Sequence, residues 1–281
     1  MSVLRAGEAV LKLVPELGGA IAGWTVGGRP VFRAENPAAN VSREHACYPL
    51  FPYSNRVANR RFRFDGVTYE LPDLMNGWAI HGAAWRCPWV LDGHRMVLDY
   101  EGGELWPFAF QAEQIFELGE RSLSVTLRLT NRHSSAAPAA IGLHPFFYRT
   151  EQTRLQLTAG RVWMADENKI PTHAEPLPPA WDFSTERALD DLEIDHCLSD
   201  WDGQMRLVWP ERGEALRMSA SRNLCHLVFY CPKRQSFVAI EPVSNRTDGL
   251  NHMDDSTDHG MARLAPGEVL QGRIDMVLEP L

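Results

Sequence analysis

Short stretches in which apolar and polar residues alternate recur along the chain. The clearest lies between Arg121 and Thr130, where leucine or valine occupies every second position from 123 to 129. Weaker versions of the same pattern occupy 110–116 and 274–278. A two-residue period is typical of a half-buried β-strand. We therefore expect strands at these places, and we find no stretch that combines a sustained 3.6-residue period with helix caps.

Turn signals separate the alternating stretches. Asp65-Gly66 lies between two of them and predicts a hairpin, and Gly27-Gly28 predicts another between Val26 and Val31. Together with 21 glycines and 19 prolines, this pattern predicts an all-β protein, either a sandwich or a barrel. The stretch from Pro171 to Asp191 contains four prolines, and we expect it to be a surface loop because alternating residues resume on both sides.

The overall composition is that of an ordinary globular protein. A chain of 281 residues can form one large all-β domain or two small ones, and 44% hydrophobic residues suffice for a large core. The formal net charge of −8 argues against a nucleic-acid partner or an anionic membrane. It also favours a neutral substrate over a strongly anionic one, unless a local basic pocket overrides the net charge.

The N-terminal residues contain no basic segment followed by an apolar run, so we expect no signal peptide. No run of about 18 apolar residues exists, so we expect no membrane-spanning helix and no membrane partner. The five cysteines are odd in number and irregularly spaced, which favours reduced thiols in a cytoplasmic protein.

Two apolar strings each deliver one titratable residue just before a proline. His144 follows Ile141-Gly142-Leu143 and precedes Pro145, and Glu241 follows Phe237-Val238-Ala239-Ile240 and precedes Pro242. The proline restricts His144 to an extended conformation, which suits a side chain held at a strand end. A buried imidazole and a buried carboxylate can act as a general acid and a general base.

Two further strings contribute polar side chains that could hold a polyhydroxylated ligand. They are 54–60 with Arg56 and 80–83 with His81. Together with the strings around His144 and Glu241, and in their order along the chain, they resemble the aldose 1-epimerase (galactose mutarotase) family. Asp195, in the acidic stretch around 193–197, is similar to a fifth element of that family. The resemblance spans roughly residues 50 to 252.

The resemblance implies one domain over residues 1–281, folded as a large antiparallel β-sandwich, the galactose mutarotase-like supersandwich, with a cleft across one face. It implies an enzyme that interconverts the α and β anomers of a free aldose and needs no cofactor and no metal. Glu241 would take the proton of O1. His144, on the opposite side of the hemiacetal, would protonate the ring oxygen O5 and would hold that proton in the resting state. Arg56, His81 and Asp195 would bind the monosaccharide substrate.

Three alternatives remain open at this stage. A glycoside hydrolase would need two carboxylates, and only Glu241 lies in a convincing string. A non-catalytic sugar-binding protein would need no matched acid and base. A hexose-6-phosphate mutarotase would need a basic pocket, which Arg60, Arg61 or Arg246 could supply.

Metal and nucleotide sites are not predicted. The possible ligands near His252 and Cys225 do not have the spacing of a structural zinc site, and no glycine-rich phosphate loop is present. The sequence allows either a monomer or a homodimer.

Overall fold

The computed structural model describes residues 1–190, 192–255 and 258–281. These residues form 26 β-strands and six short 3-10 helices. The strands are β1 (Ser2–Ala6), β2 (Ala9–Val14), β3 (Ala20–Val26), β4 (Arg29–Pro30), β5 (Cys47–Leu50), β6 (Arg56–Val57), β7 (Arg61–Phe64), β8 (Val67–Glu70), β9 (Ala79–Ile80), β10 (Val90–Asp92), β11 (Arg95–Tyr100), β12 (Phe110–Leu118), β13 (Ser122–Asn131), β14 (Ala137–Ala139), β15 (Gly142–Tyr148), β16 (Arg154–Leu157), β17 (Arg161–Ala165), β18 (Pro171–Pro176), β19 (Arg187–Ala188), β20 (Ile194–Ser199), β21 (Gln204–Trp209), β22 (Glu214–Ala220), β23 (His226–Cys231), β24 (Phe237–Val243), β25 (Ala262–Leu264) and β26 (Val269–Pro280). The 3-10 helices are Ser42–Glu44, Ala58–Arg60, Ala84–Arg86, Pro179–Trp181, Pro210–Arg212 and Gly249–His252.

Two large antiparallel sheets contain most of the strands. The larger sheet has the order β1-β2-β3-β5-β15-β24-β23-β20-β17-β18, with β4 paired to β3. The smaller has the order β10-β11-β12-β13-β26-β22-β21-β16-β19. The predicted all-β, antiparallel sandwich is therefore confirmed. The two strands that carry His144 and Glu241, β15 and β24, are neighbours in the middle of the larger sheet.

The alternating stretches of the sequence lie side by side in the smaller sheet. They form the adjacent strands β12, β13 and β26, in which alternate apolar residues such as Leu123, Val125, Ile274 and Met276 are fully buried. The two predicted hairpins are also confirmed, as β7–β8 around Asp65-Gly66 and β3–β4 around Gly27-Gly28.

One apolar core fills the space between the sheets. It combines residues of the larger sheet, such as Leu13 and Ile240, with residues of the smaller sheet, such as Val125 and Ile274, all with no exposed surface. This shared core is compatible with the single domain predicted over residues 1–281, which stays a prediction.

The predicted loop from Pro171 to Asp191 is only partly correct. Residues 171–176 form β18, which pairs with β17 at the edge of the larger sheet, and Arg187–Ala188 form β19 at the edge of the smaller sheet. Prolines are tolerated in edge strands because their missing N–H group can face away from the sheet. Asp191 itself lies outside the described residues.

All five cysteines are free thiols. Within the described parts of the chain, no helix has the length and apolar character needed to cross a bilayer. The cytoplasmic location stays a prediction.

Candidate active site

A row of side chains crosses six strands on the face of the larger sheet that points away from the smaller sheet. Each member lies opposite the next in the antiparallel register. The register that pairs Gly142 with Val243 and Phe146 with Ala239 sets His144 opposite Glu241. From β5 to β17 the row consists of Tyr48, His144, Glu241, Val228, Cys197 and Trp163.

Alternation along the two central strands explains why two polar residues occur in apolar strings. In β24, Val238 and Ile240 point into the core between the sheets, whereas Glu241 takes the opposite face. In β15, Leu143 and Phe147 point into the same core and His144 lies between them in the sequence. The strings are apolar because both faces of the sheet are buried here.

His144 and Glu241 form a close pair. Nε2 of His144 lies 3.0 Å from Oε1 of Glu241, and the side chains are only 8% and 2% exposed. Burial lowers the pKa of His144 well below its usual range and raises the pKa of Glu241 well above its usual range. The nearby Asp195 carboxylate raises the pKa of Glu241 further. Both shifts favour the uncharged forms, a neutral imidazole and a protonated carboxyl.

This arrangement corrects two expectations about the pair. His144 lies inside β15 rather than at a strand end, because Pro145 is accommodated within the sheet, opposite Cys47. A resting imidazolium is also disfavoured, because burial penalises its charge and the positive charge of Arg33 lowers the pKa of His144 further.

The His144 ring is fixed by two aromatic neighbours. The Tyr48 ring is stacked on it, with centroids 4.5 Å apart and an interplanar angle of 23°, and the Phe146 ring lies 4.4 Å away. Phe146 therefore belongs to the site. Phe147 points into the core between the sheets.

A cavity of about 380 Å³ opens above this face of the sheet. All five predicted site residues border it, although their roles stay predictions. The polar residues that line it are Arg33, Arg43, Asn55, Arg56, His81, His144, Asp195 and Glu241. Its aromatic walls are Tyr48, Phe146, Tyr230 and Phe237.

Arg56 and His81 reach the cavity from the short two-stranded sheet formed by β6 and β9, in which Arg56 pairs with Ile80. Asn55 joins the two side chains. Its backbone N–H donates to Nδ1 of His81 at 3.2 Å, and its Oδ1 accepts from the backbone N–H of Arg56 at 2.8 Å and from Nη1 at 3.3 Å. Asn55 is not among the site residues predicted from the sequence, although it stands in the string that carries Arg56.

The bond from Asn55 also defines the protonation of His81. Because Nδ1 accepts a hydrogen bond, the neutral ring carries its proton on Nε2. Burial lowers the pKa of His81 to about 3, and the nearby Arg56 lowers it in the same direction. His81 is therefore a neutral group with one N–H to offer a ligand.

Gly82 has no room for a side chain. An added Cβ would lie 1.9 Å from the carbonyl oxygen of Phe51. Gly82 also has a φ of +74°. The glycine is required by backbone packing against Phe51, and this packing anchors the turn that presents His81.

Asp195 enters from β20, two strands away from Glu241, and lies opposite Tyr230. Its carboxylate is 3.6 Å from Nζ of Lys169. Asp195 also borders a smaller adjoining pocket with Asn55, Arg56 and Lys169. Among the described residues of the 190–202 stretch, which exclude Asp191, the acids other than Asp195 do not line the main cavity.

Three buried polar atoms at the site have no hydrogen-bond partner among the described residues. They are Oε2 of Glu241, Nε of Arg56 and Nδ1 of His144. Unpartnered buried polar atoms are costly, and hydroxyl groups of a ligand would satisfy them.

Sequence reasoning missed Arg33 and Arg43. Both line the cavity, yet neither stands in a motif or in an alternating stretch. Only their three-dimensional position reveals them. Arg60, Arg61 and Arg246, the arginines considered as a phosphate site, are not among the lining residues. The first two are exposed, and Arg246 is buried against the Trp163 ring at 4.1 Å.

No group of three or more potential metal ligands occurs among the residues that the structure describes.

Comparison with known proteins agrees with this architecture. The sequence profile of the aldose 1-epimerase family matches residues 2–276. The uncharacterised protein YphB of Escherichia coli K12 is 28% identical over 99% of both chains. A crystal structure from Escherichia coli K12, provisionally described as an aldose 1-epimerase, superposes with a TM-score of 0.91 at 26% identity and covers 99% of this chain and 98% of its own.

A galactose mutarotase-like protein from Clostridium acetobutylicum has the same fold, with a TM-score of 0.85 at 19% identity over 99% of this chain and 95% of its own. The family profile covers nearly the whole chain. The protein therefore belongs to the aldose 1-epimerase family.

Proposed function

We propose that the protein is an aldose 1-epimerase that interconverts the α and β anomers of a monosaccharide with a free anomeric hydroxyl. The observation that carries the proposal is the buried His144–Glu241 pair, 3.0 Å apart on the wall of a cavity lined by polar side chains. Membership in the aldose 1-epimerase family supports it.

The reaction needs one proton removed and one proton supplied. A base takes the proton of the O1 hydroxyl, the bond between C1 and O5 breaks, and an acid protonates O5 to give the open-chain aldehyde. Rotation about the C1–C2 bond and the reverse proton transfers close the ring on the other face of the carbonyl. Atoms and electrons balance within the sugar and the two side chains.

The His144–Glu241 pair contains the protons that this scheme requires. A neutral imidazole with a protonated carboxyl has the same number of protons as an imidazolium with a carboxylate. Transfer of one proton from Oε1 of Glu241 to Nε2 of His144, across 3.0 Å, would create the base for O1 and the acid for O5. Each positioned group contributes about 10²–10⁴-fold to such reactions.

The remaining polar groups would orient the sugar. Arg56 offers charged donors, His81 offers the N–H on Nε2, and the Asp195 carboxylate accepts from hydroxyls. Phe146 and Tyr230 provide apolar surface for the C–H faces of the ring. We infer that these residues hold the ring so that O1 and O5 meet the pair.

The test follows anomer exchange by polarimetry or NMR on freshly dissolved single anomers of hexoses, pentoses, uronic acids and hexose phosphates. We expect exchange faster than in buffer, and slower with Glu241→Gln. Cleavage of an aryl glycoside would indicate a hydrolase, and sugar binding without exchange would indicate a binding protein. Exchange at the buffer rate for the whole panel would overturn the proposal.

A further inference from the structure

The cavity carries positive charge although the chain carries −8. Among the described residues that line it, Arg33, Arg43 and Arg56 are cationic, whereas Asp195 and Glu241 are acidic. Asp195 already has Lys169 as a partner at 3.6 Å, and burial favours the protonated form of Glu241. The charges that line the cavity therefore favour the binding of an anionic ligand, although the net charge of the chain does not.

Arg33 is fixed at the cavity wall. Its Cζ lies 3.7 Å above the Phe146 ring and 5.3 Å from the Phe237 ring. Its Nη2 donates to the carbonyl oxygens of Arg43, at 2.7 Å, and of His45. A guanidinium held in this way loses little freedom when a ligand binds to its remaining donors.

The other two nitrogens of the Arg33 side chain, Nε and Nη1, have no hydrogen-bond partner within the described ranges of the chain, and no described carboxylate lies within 4.0 Å of the group. Burial lowers the pKa of Arg33 to about 10, so the group stays charged at neutral pH. A partly desolvated cation without a carboxylate partner is unfavourable, and an anionic ligand would offset that cost.

Arg33 lies near His144, on the side of the site where C6 of a bound hexopyranose would lie in the proposed reaction. Arg33 lies close enough to His144 for its charge to affect the ring, and both contact Phe146. In the proposed reaction His144 acts on O5. The ring carbon bonded to O5 also carries C6 in a hexopyranose, so a group on C6 lies on the side of the ring next to His144.

Resting on the proposed function, we infer that Arg33 and Arg43 form a subsite for an oxyanion on C6, so that the preferred substrates are aldoses with a carboxylate or a phosphate at that carbon. Arginine matches both groups because its planar fork can donate two parallel hydrogen bonds. The residues that determine this specificity are distinct from the pair that transfers protons.

The experiment compares anomer exchange for sugars that differ only at C6: glucose, glucuronate and glucose 6-phosphate, each corrected for its rate in buffer. We expect kcat/KM for at least one of the anionic sugars to exceed that for glucose by about tenfold or more, as one charge-assisted hydrogen bond suggests. The comparison of glucuronate with glucose 6-phosphate distinguishes a carboxylate site from a phosphate site. Equal or lower values for both anionic sugars would overturn the inference and leave the proposed epimerase function standing.

Variants test whether Arg33 and Arg43 cause any preference for the anionic sugars. Arg33→Met should lower the ratio of anionic to neutral kcat/KM by about tenfold. Arg61→Met, at an exposed arginine outside the cavity, should leave the ratio unchanged. Arg43→Met retains the backbone carbonyl that Arg33 uses, so it tests the subsite even when Arg33→Met fails to fold. A ratio unaffected by either lining variant would contradict the assignment.

Measured affinities distinguish the proposed epimerase function from the proposed subsite for a C6 oxyanion. Calorimetric titration of Glu241→Gln with the same three sugars measures affinity without turnover. Tighter binding of an anionic sugar, with no exchange of any sugar by the wild type, would support the subsite and refute the epimerase function. Equal affinity for all three would contradict the subsite, whatever the rate of exchange.

Discussion

Nε2 of His144 lies 3.0 Å from Oε1 of Glu241, and the two residues occupy opposite positions on adjacent central strands. A proton can pass between them without any movement of the backbone. The pair therefore behaves as one chemical unit, and removal of either member should disable both.

The first prediction concerns this coupling. Glu241→Gln and His144→Asn should each lower kcat by about 10²-fold or more, because each removes one proton-transfer group. The double variant should lose far less than the product of the two single losses, because residues that act together are not additive. Stopped-flow polarimetry of variants with native-like thermal melts provides the test, and strictly multiplicative losses would show that the two groups act independently.

The second prediction concerns Arg56. Arg56→Lys should raise KM by about tenfold, since an ammonium cannot reproduce the fork that Asn55 orients. The matched control is Arg60→Lys, because Arg60 is exposed and does not line the cavity. Steady-state kinetics on one sugar measure both. An unchanged KM in Arg56→Lys would remove this residue from substrate binding.

The third prediction uses the lowered pKa of His81. A group with a pKa near 3 when folded and 6.5 when unfolded stabilises the protein fully above pH 6.5, and this contribution is lost as the pH falls from 6.5 towards 3. His81→Asn removes the titration. It also keeps an acceptor for the Asn55 N–H, and asparagine suits the φ of +62°.

The measurement is urea denaturation at several pH values between 4 and 7. The free energy of unfolding of the wild type should fall more steeply towards low pH than that of His81→Asn. The slopes of the two plots against pH should differ by up to about 1.4 kcal/mol per pH unit, which corresponds to the uptake of one proton on unfolding. Parallel curves would mean that His81 titrates normally in the folded protein.

The fourth prediction concerns Gly82. Gly82→Ala should destabilise the fold by about 2–4 kcal/mol, because the new Cβ would meet the Phe51 carbonyl. Gly213→Ala is the control, since Gly213 also has a positive φ, +62°, but has open space around its missing side chain. Its cost should be about 1 kcal/mol, from the conformation alone. Equal thermal shifts in the two variants would contradict the packing explanation.

The sequence predicts the strands of the sheets better than it predicts the lining of the cavity. The alternation in β12, β13 and β26 is visible because each of these strands has one buried face. His144 and Glu241 stand out because a titratable residue interrupts an apolar string. Their contact depends on the register between strands almost 100 positions apart, and no local pattern encodes it.

Arg33 and Gly82 show where reading from the sequence fails. Arg33 comes from a bend with no periodic neighbours, so its place beside Phe146 follows only from the pairing of distant strands. The conformation of Gly82 can be suspected from its residue type, but the atom it approaches, the Phe51 carbonyl oxygen, lies 31 positions earlier. In both cases the partner is distant along the chain.

The row from Tyr48 to Trp163 is part of the hydrogen-bonded sheet, whereas Arg33, Arg43 and Asn55 belong to connecting segments. A slip of one residue in β15 or β24 would turn His144 or Glu241 into the core, so the register constrains the reactive pair strongly. Connecting segments tolerate substitution more readily. Relatives with this scaffold can therefore diverge in the sugars they accept while retaining the same chemistry, and exchange of residues 33–45 between relatives offers a direct route to altered selectivity.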